Sequence, residues 1–324
     1  MTDETSYNAD TRARSQLVDD LLRAEGLMAA GEDEQAVILL ATLAEDAEQY
    51  VEANCPTTET LQWFSFPSIF ERLCYRRVEA DPRELRDVGE PLDRLYADLA
   101  FALVRRGDYE RAAESLKRAV RWNPMGCGYR LDLAELCKTN GDIREWIALS
   151  YSVFERASDV RHLARAYANF AEYFGQTGQP RLEAAALRCG RRLALGDPLL
   201  SQLCDATAGT EADPDAISDD EASALLAAEG IPDGANAEVA ICLLMCASDA
   251  AAAGDRNLAT NLMLRARDLV GSAACKALMQ LINETDAADT AETDAADTPA
   301  APAAADTPAA PAAPATPAPE SAGE

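Results

Sequence analysis

Residues 93–126 read DRLYADLAFALVRRGDYERAAESLKRAVRWNPMG, and this stretch decides the fold. Tyr109, Ala112, Leu116 and Ala119 step by three and four, which places them on one helical face as an inner stripe. Leu99 and Ala100 form the waist of a helix before it, and Gly107-Asp108 forms the turn between the two. Gly107 supplies the positive φ that closes the first helix, and Asn123-Pro124 stops the second because Pro124 cannot continue it. Ala100 and Ala112 are small where two antiparallel helices would cross most closely. The stretch therefore predicts a helical hairpin.

The hairpin recurs. Gly141-Asp142 stands 34 residues after Gly107-Asp108, with Leu133-Ala134 before it and Trp146 in the place of Ala112. Turns of the same kind follow at Gly31-Glu32, Gly178-Gln179 and Gly254-Asp255, with Ala24, Ala171 and Ala247 seven residues ahead of each. The expected units are 93–126 and 127–160, with degenerate ones at 17–50, 161–198 and 240–273. Two longer gaps, 51–92 and 199–236, each leave room for one worn helical pair. In the first gap, Phe66-Pro67-Ser68 predicts a helix through Ile69, Phe70, Leu73 and Cys74, with Pro67 in its first turn. Trp63, Phe64, Phe66 and Phe70 either fill a seam between repeats or form an aromatic docking surface. In the second gap, 205–217 is a polar loop, and Ser218 with Glu221 makes a capping box. Residues 257–270 form one helix, and Ser272 to Ile282 form another that caps the end of the stack.

This pattern resembles the tetratricopeptide repeat (TPR) family, with Leu99, Ala100, Gly107, Tyr109, Ala112, Leu116, Ala119, Pro124, Ala134 and Gly141 as its structural residues. The resemblance implies an all-α, right-handed superhelical array (a solenoid) of antiparallel helix pairs over 12–283. It implies no cofactor. It also implies a non-enzymatic scaffold or adaptor that takes a peptide segment of a protein partner into a concave groove. Carried over, the groove candidates are Arg94, Ala97, Phe101, Val104 and Arg105, then Leu131, Glu135 and Lys138, then Arg165, Ala168 and Glu172. In the last unit Leu244 and Ser248 correspond. Ala97 and Phe101 occupy places where the chaperone-binding subfamily carries Lys and Asn, so the chain departs from that subfamily's carboxylate clamp. The alternatives are a regulatory peptide sensor and a thiol enzyme built on Cys127, which sits in a Gly-Cys-Gly turn.

Composition narrows the partner classes. The net charge of −27 argues against nucleic acid and anionic membranes, and no run of apolar residues is long enough for a span. Nine unpaired-looking cysteines and the single His162 offer no metal set and suit a reducing, cytoplasmic setting. Charge is segregated along the chain. Residues 71–192 hold 22 Lys and Arg against 19 Asp and Glu, while the remainder is strongly acidic. Arg72, Arg76, Arg77, Arg105, Arg106, Arg118, Arg121, Arg191 and Arg192 dominate that middle. They are either solvated helix faces paired with carboxylates three or four residues away or a basic groove selecting an acidic partner. Residues 1–11 are expected to be flexible. The Ala/Pro/Thr-rich acidic tail, 284–324, is expected to be disordered. The sequence sets no oligomeric state.

Overall fold

The computed structural model describes residues 16–194 and 196–296, with side chains described as far as Ile282. The expectation for 1–11 and most of that for the tail lie outside the described residues. The helices α1 (Gln16–Ala29), α2 (Asp33–Asn54), α4 (Leu92–Arg105), α5 (Tyr109–Trp122), α6 (Cys127–Thr139), α7 (Ile143–Arg156), α8 (Val160–Gln176) and α9 (Pro180–Leu193) pack as four successive hairpins. Gly31, Gly107, Gly141, Gly178 and Gly254 all adopt φ between 71° and 85°, as the turns require. Where an Asp follows the glycine, it caps the next helix. Asp108 accepts a hydrogen bond from the Arg111 amide, and Asp142 accepts one from that of Glu145.

The small residues lie where the pattern predicts. Ala24, Ala36, Ala100, Ala112, Ala119 and Ala134 are buried together with Leu40, Leu99, Leu103 and Leu116 in one core. Trp146 is fully buried and meets the edge of Tyr173, so a large indole fills the place that Ala112 holds in the neighbouring hairpin. Tyr109 departs from the expected stripe. It is the first residue of α5 and is 44% exposed.

The first gap does not hold a worn helical pair, whereas the second holds two short helices. Helix α2 packs directly on α4, so no hairpin intervenes, and 51–92 leaves the stack as a β-α-β unit. Its strands, β1 (Leu61–Phe64) and β2 (Glu84–Asp87), run parallel in the register Leu61↔Glu84 to Phe64↔Asp87, joined by helix α3 (Ile69–Glu79). Apart from these two four-residue strands the described elements are helical, as the all-α array requires. Ser68 is the N-cap of α3, and Pro67 precedes the cap instead of entering the first turn. The aromatic residues make a seam: Phe64 and Phe70 are buried, and Phe64 stacks on Phe66 with centroids 4.8 Å apart and lies 4.7 Å from Tyr75.

In the second gap, α10 (Pro198–Thr207) packs on α8 and α9, and α11 (Asp219–Ala228) packs on α9. Gly190 in α9 marks the tightest approach there, since a Cβ would stand 3.0 Å from that of Tyr167. The Ser218 cap forms as expected, accepting from the Glu221 amide. Helix α12 (Ala237–Ala252) then packs on α3 of the β-α-β unit. The 240–273 unit is therefore a hairpin in its turn but joins the body both at α3 of the insertion and at the end of α7. Asn236 reaches the Glu155 carbonyl, Arg77 pairs with Glu238, and Arg265 lies over the Phe70 ring. The last helix, α13 (Arg256–Ala296), is broken at Gly271 (φ 81°, ψ 160°), which separates the two helices expected on either side. The helix as described ends at Ala296, inside the segment expected to be disordered, and the remainder of that segment lies outside the described residues. The Ala-, Asp- and Thr-rich 284–296 contains no proline, and Pro299 is the first residue that forbids a helix.

Candidate functional site

The first helices of three successive hairpins, α4, α6 and α8, share one face. Ala97, Ala100, Phe101 and Val104 of α4 enclose a cavity of about 360 Å³ with Leu116 of α5, Tyr129, Asp132, Glu135 and Leu136 of α6, and Arg165 of α8. Of the groove candidates, Ala97, Phe101, Val104, Glu135 and Arg165 come together here. Phe101 is 55% exposed, an unusual position for a large apolar side chain. Arg105 lies 5.8 Å over its ring while bonding Asp33 of α2 at 2.6 Å.

Other candidates lie elsewhere. Leu131 is 1% exposed, because a residue one position from Arg130 and Asp132 on a helix faces the packed side. Leu244 is fully buried, and α12 carries it and Ser248 towards α3, so neither extends this face. Ala168 is buried too. Lys138 joins Glu135 (2.9 Å) to Glu172 (3.0 Å) across α6 and α8, with its ammonium 5.5 Å from the Trp146 ring. Tyr129, Asp132 and Leu136 lay unread among the candidates, although stepping by three and four along α6 would have placed them beside Glu135.

A second cavity, about 460 Å³, adjoins the first through Tyr129. Ser65, Phe66 and Pro67 after β1, Asp87, Gly89, Glu90 and Pro91 after β2, and Asp93 and Arg94 of α4 line it with Val18 of α1. Asp93 is buried at its base. It accepts hydrogen bonds from Ser65 Oγ (3.2 Å), Asn123 Nδ2 (3.1 Å) and the Tyr129 hydroxyl (3.1 Å), which ties the β-α-β unit to α5 and α6. Burial raises the Asp93 pKa, and the three donors only partly offset it. Arg94 bonds Glu25 of α1 and stands 3.7 Å from Asp98. Burial, with the charges of Glu25 and Asp93 added and that of Arg94 opposing, raises the Asp98 pKa to about 6.

The arginines that favoured an acidic partner are already engaged. Arg77 pairs with Glu238, Arg105 with Asp33, Arg106 with Glu34, Arg118 with Glu48, Arg191 with Asp215 and Arg192 with Asp233. Arg72, Arg76 and Arg121 donate to the carbonyls of Leu85, Asp81 and Trp63. Most partners come from neighbouring elements and from the acidic flanks of the sequence. The charge segregated along the chain is intermixed in space.

The geometry gives the thiol reading of Cys127 no support. It is the first residue of α6 and 2% exposed, and burial pushes its pKa up to about 12, away from a reactive thiolate. His162 packs over Gly128, its Nδ1 has no hydrogen-bond partner, and burial lowers its pKa. Among the described residues no His, Cys, Asp and Glu group has metal-binding geometry, and no helix is long and apolar enough to cross a membrane.

No protein-family model and no curated protein matches the chain. Among solved structures it is similar to the pilF protein of Pseudomonas aeruginosa, at 14% identity and TM-score 0.40, over 82% of this chain and 96% of that one. It is also similar to a kinesin light chain protein of Podosopora anserina described by nearly identical TPR-like repeats, at 17% identity and TM-score 0.36, over 83% of this chain and 99% of that one. Likeness at this level assigns no activity or partner.

Proposed function

We propose that this chain is a non-catalytic binding protein, a scaffold or adaptor that holds a peptide segment of a protein partner on the face formed by α4, α6 and α8. The observation that carries this reading is Phe101, half exposed over an apolar cavity whose walls come from three successive hairpins. Exposed apolar area beside a concave, largely apolar cavity is what a partner side chain fills on binding. Burying one aliphatic or aromatic side chain there is worth about 1.5–3 kcal/mol. The flanking ion pairs, Arg165 with Asp132 and Lys138 with Glu135, fix the rim and leave its middle apolar.

The test is affinity capture from the native host with wild-type chain and with Phe101→Ser, quantified by mass spectrometry. A partner retained by the wild type and depleted at least tenfold on Phe101→Ser is the expected result. Capture that is identical on both chains removes the groove from the function.

A further inference from the structure

The two cavities meet at Tyr129 and differ in charge. The cavity at the start of α4 is lined by the carboxyl side chains of Asp87, Glu90 and Asp93 and by Arg94, the one cation among its described lining residues. Arg94 is itself committed to Glu25 and Asp98. One buried carboxylate oxygen of the lining, Glu90 Oε2, has no hydrogen-bond donor among the described residues, a costly arrangement that a cationic donor would relieve. Phe66 and Tyr129 supply aromatic walls, which suit an ammonium or guanidinium. The neighbouring cavity at Phe101 is apolar, and its rim cations are paired. Charge complementarity along this face thus favours a basic group at one end and an apolar group at the other.

We propose, resting on the binding reading above, that the partner segment is an extended stretch with a Lys or Arg a few residues from an apolar side chain. The cation enters beside Glu90 and Asp87 under Phe66 and Tyr129, and the apolar side chain packs on Phe101. An acidic segment meets repulsion at the first cavity, so the surface selects by charge sign as well as by apolar fit. Because the carboxylates of Asp87 and Glu90 lie at an accessible cavity, rising salt should weaken the complex.

The test is selection of random twelve-residue peptides displayed on phage against the full chain, with Phe101→Ser as the counter-target. The expected peptides carry Lys or Arg near an aromatic or aliphatic residue. A labelled winner should bind Glu90→Gln about tenfold or more weakly, while Glu110→Gln, an exposed carboxylate of α5, leaves its affinity unchanged. If Glu90→Gln loses its helical melting transition, Asp87→Asn takes its place. Winners rich in Asp and Glu, or Phe101-dependent winners indifferent to Glu90→Gln and Asp87→Asn alike, would overturn the basic-apolar assignment and leave the groove standing. Winners that bind Phe101→Ser equally well, or no winners at all, would overturn the groove and the assignment together.

Discussion

The hairpin α4/α5 and the β-α-β unit beside it are neighbours in sequence, yet they are held together by different physics. In the hairpin, contacts repeat every three or four residues, and the turn brings partners such as Ala100 and Ala112 face to face. In the insertion, Leu61 pairs with Glu84 and Phe64 with Asp87, so the fold depends on partners that only a crossover helix brings together. The hairpin is a local solution to burying an apolar stripe. The insertion buries Phe64 and Leu85 by assembling distant segments, and it then offers α3 as the platform on which α12 packs. A modular stack thereby gains a side element that joins its early and late parts.

The largest expected effect separates the two regions. Phe64→Ala should cost about 3–5 kcal/mol locally, through lost burial and the cavity left under Phe66 and Tyr75. Amide hydrogen exchange should show lost protection over β1, α3 and β2 with that of α5 retained. Equal loss in α5 would mean that the insertion and the hairpin open as one unit.

Ala112→Leu attacks the other side of the comparison. Overpacking the α4/α5 crossing should cost about 1–3 kcal/mol and spread to α1/α2 and α6/α7, since neighbours in a stack share their interfaces. Thermal melting followed by circular dichroism measures the loss, and a melting temperature equal to wild type would contradict the assigned crossing.

Asp98 tests the crowded carboxylates where the two regions meet. Its folded pKa of about 6 lies above the ordinary 3.8, so folding favours the neutral acid. That contribution is complete below the ordinary value and is lost as pH rises through about 6. Asp98→Asn should therefore stabilise the chain at pH 7 relative to its effect at pH 4, by about 1–2 kcal/mol after allowing for solvent screening. Urea denaturation of both chains at the two pH values checks the sign, and a larger gain at pH 4 would refute it.

The smallest effect concerns the ion pairs between hairpins. Arg106→Ala, which breaks the 3.4 Å pair with Glu34 between exposed side chains, should cost less than about 1 kcal/mol. The difference from wild type should shrink in 1 M salt. A loss above 2 kcal/mol in melting experiments would show that these pairs do more than neutralise one another.

Much of the hairpin array was legible because its determinants are local. The spacing of Leu99, Ala100, Ala112, Leu116 and Ala119, the glycines of the turns and the Asp caps act within a few residues, and each lies where the pattern put it. The face that gathers Ala97, Phe101, Glu135 and Arg165 was implied by the resemblance to the TPR family and not by the spacing alone. Burial of Leu131 and Cys127 and exposure of Tyr109 lay beyond it, since a one-residue change in helical facing depends on how the neighbouring hairpin sits. What the sequence alone determined is therefore the repeating unit and its inner stripe. Tertiary structure alone decided that α2 meets α4 directly, that 51–92 leaves the stack as parallel strands, and that the central arginines find carboxylates from the acidic flanks. Strand pairing and long-range charge pairing link residues far apart in the chain, and no local pattern of side chains encodes which distant partner arrives.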